Sequence, residues 1–301
     1  MSIIDTQSEK VATLEAAAAK GRSLWDDAGI RLLNNKASVV SLFILGFIVL
    51  VAVLGPLFWP HSYETISDAG VLHPPSLAPF HPLGTDVQGR DVAVRLMIGM
   101  RISLAVGVIA TMVSLVIGVT WGATAGFVGG RVDNLMMRFV DVIYALPFIF
   151  FVILLNVVFG RNIFLIFVAI GAVEWLTMAR IVRGQTLALK SKEFIEAARA
   201  AGVRPAQIVI RHIVPNLLGP VAVYVTLTIP IVILSESFLS FLGLGVNEPL
   251  TSLGVLISDG RKFMNSHLHL LLAPSLTMVA TLLCLNFIGD GLRDALDPRD
   301  R

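Results

Sequence analysis

Long apolar stretches, separated by short polar segments, run through most of this chain. A helix needs about 20 mostly apolar residues to cross a bilayer. Six stretches qualify, at roughly residues 37–59, 102–128, 137–159, 162–180, 217–244 and 268–289. The third and fourth are separated only by a turn at residues 160–162, so we expect them to form a tight hairpin. The pattern predicts an all-α membrane protein with six transmembrane helices.

Composition agrees with a lipid environment and excludes several functions. Hydrophobic residues make up 55% of the 301 residues and charged residues only 15%, unlike a soluble domain. The net charge of +2 comes from dispersed basic residues, so we expect no nucleic-acid partner. Cys284 is the only cysteine, which excludes a disulfide framework or a thiolate metal site within the chain.

The placement of lysine and arginine predicts the orientation in the membrane. With the N-terminus inside, 17 of the 23 basic residues lie on the inner side, as the positive-inside rule requires. We therefore expect both termini in the cytoplasm, as tails at residues 1–36 and 290–301 that flank a membrane domain at residues 37–289. Two long external loops, near residues 60–101 and 245–267, either receive a partner or substrate or simply cover the helix bundle.

The N-terminal tail carries one local pattern. An amphipathic helix at the membrane surface is indicated by apolar residues at helical spacing, namely Leu24, Ala28 and Leu32, beside Trp25. A partly disordered tail is the alternative.

The loop at residues 181–216 has the local signals of a helix, a break and a second helix. Glu193 and Glu196 suit the first turns of a short helix, where the helix dipole is positive. Gly202 suits the end of that helix and Pro205 the first turn of the next. The sequence therefore predicts a compact helical projection on the cytoplasmic side. Its small, alanine-rich surface is typical either of a docking site for a partner or of an ordinary amphipathic helix.

The spacing within this loop is similar to that of a known motif. Residues 196–198 (Glu-Ala-Ala), Gly202 and Pro215 resemble the EAA loop of permease subunits of binding-protein-dependent ABC importers. His212 and Val214 depart from the general consensus of that loop. They are similar to the variant in the peptide and nickel branch of the family.

Further segments resemble the same branch over most of the chain. They are residues 21–25, 81–86, 89–91, 101–104, 181–187 and 286–298, with the sequences GRSLW, HPLGTD, GRD, RISL, IVRGQTL and NFIGDGLRDALDP. Several matching blocks in register make chance agreement improbable. Within the branch, the chain is most similar to the C-type oligopeptide permeases of Gram-negative bacteria.

The resemblance implies the fold of a type I ABC importer permease, located in the bacterial inner membrane, and a set of partners. These are a B-type permease subunit that forms a heterodimer with this chain, two cytoplasmic ABC ATPase subunits, a periplasmic peptide-binding protein, and peptide as cargo. In this family the EAA helix docks into a cleft on the ATPase. The expected coupling positions here are Glu193, Glu196, Ala197, Ala198 and Gly202.

The sequence lacks the motif for ATP binding. No GxxxxGK[ST] segment occurs in it, so ATP and Mg²⁺ are expected to be used by the partner subunits, with this chain non-catalytic and without a cofactor of its own. His61, His73 and His81 lie in the first periplasmic loop. Their spacing matches no recognisable ligand pattern, so we expect no metal site.

Two further ionisable positions fall inside predicted spans. A carboxyl group at membrane depth is costly and usually faces a bundle interior or an aqueous cavity. Glu236 is therefore either a candidate for the translocation path or a hydrogen-bonded carboxyl at a helix interface. Asp141 follows Arg138 by three residues, so we expect an ion pair on one helix face.

These features predict the permease subunit of an ATP-driven importer of oligopeptides. The nearest alternative is the same machinery carrying dipeptides, glutathione or nickel. An ion-coupled secondary transporter usually shows inverted repeats and paired intramembrane charges, and neither is evident in the sequence. A silent membrane scaffold predicts that uptake survives deletion of residues 193–202.

Overall fold

Most residues of the structure, a computed structural model that describes residues 24–78, 80–159 and 163–296, are helical. The helices are α1 Leu24–Asn34, α2 Lys36–Phe58, α3 Val92–Val128, α4 Gly130–Tyr144, α5 Phe148–Phe159, α6 Ile163–Lys190, α7 Glu193–Ala200, α8 Pro205–Ile208, α9 Val214–Phe241, α10 Leu253–Arg261 and α11 His269–Leu296. A π-helical turn, Val209–Ile213, joins α8 to α9. A two-stranded antiparallel hairpin, β1 Ser76–Leu77 and β2 Phe80–His81, lies between α2 and α3 with Ser76 paired to His81.

Four segments are long and apolar enough to cross a membrane: α2, α3, the continuous stretch Pro205–Phe241, and α11. The bent pair α4 and α5 makes a fifth if it counts as one span. Helix α6 is 28 residues long but carries Glu174, Arg180 and Arg183 and is not among these segments. The described residues thus define a multi-pass membrane protein with four or five candidate spans. The predicted turn at residues 160–162 lies outside them.

The third predicted span differs from the structure. A continuous helix over residues 137–159 is wrong, because α4 and α5 meet at an angle of 80°. The break falls just before Pro147, which lacks an amide hydrogen and disfavours helical geometry at the residue that precedes it. The second span also begins earlier than predicted, at Val92, because the Asp91 carboxylate accepts a hydrogen bond from Val94 N (2.9 Å) and caps the helix there.

Helix α1 covers part of the predicted amphipathic pattern of the tail. Ala28 is buried, and Leu32 lies beside Gly291 of α11, so the helix packs on the last transmembrane segment. The side chains of Leu24 and Trp25 lie outside the described residues. A position at the membrane surface stays a prediction.

Glycines bring α3 and α6 into backbone contact. Gly118, Gly122 and Gly126 are spaced four residues apart along one face of α3. A Cβ atom added to Gly122 would strike the carbonyl oxygen of Ala179, and one added to Gly126 would lie 2.9 Å from the Arg183 carbonyl oxygen. Such small-residue stripes allow membrane helices to approach closely, where packing rather than hydrophobicity drives association. The α3–α6 pair is therefore one tightly packed unit.

The segment between α2 and α3 is tied to the segment before α10 by charged groups. Arg90 donates from Nε to Asp86 (2.9 Å) and from Nη2 to Glu248 (3.2 Å). The Gln88 amide donates to both oxygens of Glu248 at 2.9 Å. The hydrogen bonds from Gln88, together with the hydrogen bond and positive charge of Arg90, hold the pKa of Glu248 below its ordinary value. The two loops thus form one linked surface.

Glu248→Gln should loosen this link modestly. Because the folded-state pKa of Glu248 is depressed, its contribution is present at neutral pH and is lost only as pH falls below the ordinary glutamate range. We expect hydrogen exchange of the amides in residues 86–90 to rise about two- to fivefold at pH 7, as for a partly exposed pair. Glu64→Gln, which removes a carboxylate from the loop between α2 and α3, is the control. Equal exchange in both variants would show that Glu248 does not hold the loops together.

Candidate coupling site

Helix α7 is a short helix with well-defined ends. The Lys192 carbonyl accepts from Ile195 N (3.0 Å) and Glu196 N (3.3 Å), which opens the first turn. At the other end Gly202 has φ +76°, and its amide donates to Arg199 O (3.0 Å). Only glycine adopts this left-handed conformation at little cost, and it stops the helix. The predicted helix, break and second helix are confirmed.

One face of α7 is buried in a hydrophobic core. Ile195 is 0% exposed and Ala198 is 9% exposed. Both belong to a cluster that draws on α3, α6, α8, α9 and the π-helical turn, which we call the coupling cluster: Ala123, Phe127, Met178, Val182, Ile195, Ala198, Ile208, Ile213, Leu217 and Val221. Because interiors of this kind are densely packed, a displacement of α7 must be followed by the helices it touches.

Phe127, at the end of α3, is held by α7 and by the end of α6. The Arg199 guanidinium carbon lies 5.1 Å from the centre of its ring, and the Lys190 Nζ lies 5.9 Å from it. Both distances fall in the range of cation–π attraction. Phe127 therefore connects three helices through packing and charge together.

The opposite face of α7 is exposed in the part of the chain that the structure describes. Glu193, Glu196 and Ala197 are exposed, as is Gly202 just beyond the helix. Four of the five predicted coupling positions thus lie on the outer surface, whereas Ala198 faces inward. A small side chain flanked by two carboxylates offers a partner both close approach and a charged guide.

Sequence reasoning identified only Ala198 on the inner face of this site. Ile195 and Phe127 were not singled out, although Ile195 is one of two large apolar residues in a segment otherwise made of charged residues and alanine. An apolar residue in such a segment signals an anchored face. The contact of Phe127 with Arg199 has no local signal, because the two residues lie far apart in the chain.

Glu236 lies in a polar network enclosed by the chain itself. Its side chain is 0% exposed, and it accepts hydrogen bonds from Ser103 of α3 (3.1 Å) and Ser240 of α9 (2.6 Å). Ser103 also accepts from Leu253 N (3.1 Å), at the start of α10. The carboxyl group thus joins three helices, in line with the interface alternative. A role in the translocation path stays a prediction.

The ion pair predicted within α4 is wrong. Asp141 pairs with Arg180 of α6 (2.8 Å) rather than with Arg138, because Arg180 lies over the Tyr144 ring (4.2 Å) and thereby reaches the end of α4. A second contact repeats this arrangement, since Arg183 donates to Asp133 (2.6 Å). The two carboxylates of α4 thus form ion pairs with α6.

Comparison with known proteins identifies the class of protein to which this site belongs. The chain belongs to the family described as binding-protein-dependent transport system inner membrane component, which matches residues 118–301. The N-terminal transmembrane domain of oligopeptide transport permease C matches residues 23–79. Within the family, the chain belongs to the oligopeptide permease C group.

Individual relatives cover nearly the whole chain. It is 54% identical over 288 residues to the oligopeptide transport system permease protein OppC of Haemophilus influenzae, covering 96% of this chain and 93% of the relative. It is 55% identical over 287 residues to that of Escherichia coli strain K12, covering 95% of each. The dipeptide transport system permease protein DppC of Bacillus subtilis is 43% identical over 290 residues, covering 95% of this chain and 90% of the relative.

A solved structure shares the fold. A chain of the MetNI methionine ABC transporter, in an inward-facing conformation, superposes with a TM-score of 0.56 at 20% identity, covering 67% of this chain and 96% of that chain. At this identity the match concerns the fold alone.

Proposed function

We propose that this chain is a permease subunit of an ATP-driven, binding-protein-dependent importer that moves oligopeptides across the bacterial inner membrane. The observation that carries the proposal is the two-sided construction of α7. Its outer face is small and charged, while Ile195 and Ala198 bury its inner face in the coupling cluster. Membership of the permease family and the oligopeptide permease relatives support the cargo.

The proposed assembly follows the family. A B-type permease pairs with this chain, two ABC ATPase subunits dock on the cytoplasmic side, and a periplasmic protein delivers peptide. The ATPase subunits bind ATP and Mg²⁺ and carry out hydrolysis, so this chain is non-catalytic. Both termini lie in the cytoplasm, in line with the excess of basic residues on that side.

We also propose the six-span, type I importer arrangement. Counting the bent pair α4–α5 as one span and adding α6 to the four apolar segments gives six. Arg180 and Arg183 do not prevent this, because they lie in the second half of α6 and pair with carboxylates of α4. Glu174 lies near the middle of the helix and is only partly exposed. The segment around α7 then faces the cytoplasm.

In this proposal, force passes from the ATPase to the transmembrane helices through α7. Movement of an ATPase against Glu193, Glu196 and Ala197 displaces α7. Its anchors Ile195 and Ala198 pass the displacement to α3, α6 and α9. Because the glycine stripe locks α3 to α6, these two helices move together and change which side of the path is open.

Ala197→Arg tests the docking face. Ala197 is exposed, so a large cationic side chain there should block approach of the ATPase without unfolding the chain. We expect copurification of the ATPase and peptide uptake each to fall at least about tenfold, which corresponds to about 1.4 kcal/mol of lost binding. The measurements are subunit recovery and peptide-stimulated ATP hydrolysis in liposomes.

Ala78→Arg is the matched control for that experiment. Ala78 is also exposed but lies in the turn between β1 and β2, far along the chain from α7. We expect it to retain ATPase binding. Normal ATPase recovery and uptake in Ala197→Arg would refute the assignment of α7 as the coupling helix.

A dipeptide cargo is the second candidate, favoured by the identity with the Bacillus subtilis dipeptide permease protein. Uptake of labelled dipeptides and pentapeptides, measured with the same reconstituted complex, separates the two. Transport confined to dipeptides would replace the oligopeptide proposal.

A further inference from the structure

Three side chains from separate parts of the chain meet where α2 ends and α3 begins. They are His61, His81 and Asp91, and their potential ligand atoms all lie within 4.8 Å of one another. The side chains of His81 and Asp91 are each 1% exposed, while His61 is partly exposed. They line a cavity of about 280 Å³ that Asp68 also lines. Two imidazoles and two carboxylates around one cavity form a setting suited to a cation.

Hydrogen bonds orient both imidazole rings, so that one nitrogen of each ring faces the cluster. His61 Nε2 lies 2.9 Å from Phe80 O. A carbonyl oxygen only accepts, so this nitrogen carries hydrogen and the neutral ring presents its lone pair at Nδ1. His81 Nε2 lies 2.7 Å from Ser67 Oγ, and its Nδ1 lies 2.6 Å from Asp91 Oδ2. Metal-binding histidines commonly have their second nitrogen held in this way by a carbonyl or another polar group.

Hydrogen bonds also hold the Asp91 carboxylate in a fixed orientation. Its Oδ1 accepts hydrogen bonds from Trp59 Nε1 (3.1 Å) and Val94 N (2.9 Å). Oδ2 therefore points at His81 and is the oxygen available for coordination. Fixed partners on the non-coordinating oxygen hold a carboxylate ligand in place before an ion arrives.

We propose that His61, His81 and Asp91 bind a divalent transition-metal ion, through Nδ1 of each imidazole and Oδ2 of Asp91. Two nitrogen ligands and one oxygen ligand suit Zn²⁺ and its neighbours, with a water molecule in the remaining position on the cavity side. On binding, the His81 ring proton moves from Nδ1 to Nε2, where Ser67 Oγ accepts its hydrogen bond.

The movement needed for binding is small. Ligand atoms in a tetrahedral zinc site lie roughly 3.3 Å apart, as zinc–ligand distances near 2.0–2.1 Å require. The His61 and His81 rings already stack with their centroids 4.4 Å apart. The partly exposed His61 ring has to turn, and the hydrogen-bonded pair of His81 Nδ1 and Asp91 Oδ2, now 2.6 Å apart, has to open to roughly 3.3 Å. The hydrogen bonds to Ser67, Trp59 and Val94 N keep both side chains facing the site during this change.

The proposal differs from what the histidine spacing suggested. His73 is not part of the group, because its Nδ1 lies 2.8 Å from the Pro74 carbonyl oxygen, and Asp91 takes its place. A bound ion would cross-link the end of α2, strand β2 and the cap of α3. This would fix the loop between α2 and α3, which faces the periplasm in the proposed orientation.

Zinc titration of the full-length protein tests the site. The protein carries an affinity tag without histidine, is purified with whichever subunits remain bound, and is treated with a chelator before calorimetry with Zn²⁺. We expect one Zn²⁺ per chain. His61→Ala should weaken binding at least about 10–100-fold, the effect that loss of even an outer-shell partner of a metal site has, with an unchanged elution profile and melting temperature in the absence of metal.

His73→Ala and His267→Ala are the matched controls. Each removes one histidine outside the proposed group, one from the same loop and one near α11. Both should bind Zn²⁺ as the unaltered protein does. The proposal is overturned if no one-to-one binding occurs at tens of micromolar Zn²⁺, if His61→Ala binds normally, or if His267→Ala removes the binding. Asp91→Asn is the weaker test, because Asp91 also caps α3.

Discussion

Replacing Gly122 by valine should strongly destabilise the folded protein. A Cβ atom at this position strikes the Ala179 carbonyl oxygen and lies 2.9 Å from Val182 Cβ. Neither atom is at the end of a flexible side chain, so α3 and α6 must move apart. Overpacking costs about 1–3 kcal/mol, and the backbone clash places this variant at the upper end. We expect the melting temperature in detergent to fall by about 6–12 °C.

Gly46→Val provides the matched control for that experiment. It introduces the same side chain into another transmembrane helix, α2, at a position with no atom within 4 Å of the added Cβ. We expect wild-type yield and melting temperature. If the two variants have the same melting temperature, the close approach of α3 and α6 at Gly122 is not what stabilises the fold.

Truncation of Ile195 to alanine should separate ATP hydrolysis from transport. Ile195 is 0% exposed in the coupling cluster, and removal of a buried isoleucine side chain of this kind costs about 2–5 kcal/mol. The outer face of α7 is unchanged, so the ATPase should still dock and hydrolyse ATP. The inner contact with α3, α6 and α9 is loosened, so we expect several-fold less peptide transported per ATP, measured in liposomes.

Ile210→Ala is the control for Ile195→Ala. It deletes the same atoms from the neighbouring π-helical turn, at a side chain that is 68% exposed. The ratio of peptide to ATP should stay as in the unaltered protein. A normal ratio in Ile195→Ala would mean that force does not pass through this anchor, whereas loss of ATPase binding would place Ile195 in the docking face.

Local signals predicted the parts of the fold that depend on neighbouring residues. The end of α7 at Gly202 and the start of α8 at Pro205 follow from backbone geometry that each residue brings with it. The bend at Pro147 was also readable from the sequence. The apolar stretch continues through this position, and hydropathy alone therefore predicts one unbroken span.

Contacts between distant residues were not predictable in the same way. Two such contacts depend on how whole helices are placed. One is the hydrogen bond that Glu236 accepts from Ser103, and the other is the cluster of His61, His81 and Asp91. Their spacing in the chain matches no short motif. The stripe at Gly118, Gly122 and Gly126 is a different case, since its four-residue spacing is visible in the sequence. Its partner, α6, could be named only from the structure.

The length of α3 has a consequence for how this chain can vary. The helix runs for 37 residues, about 55 Å at 1.5 Å per residue, and is anchored at one end by Asp91 and at the other by Phe127. An inserted residue rotates everything beyond it by about 100°, because an α-helix has 3.6 residues per turn. The glycine stripe would then face away from α6. We therefore expect an insertion between Asp91 and the glycine stripe to be far more damaging than most substitutions in the same segment.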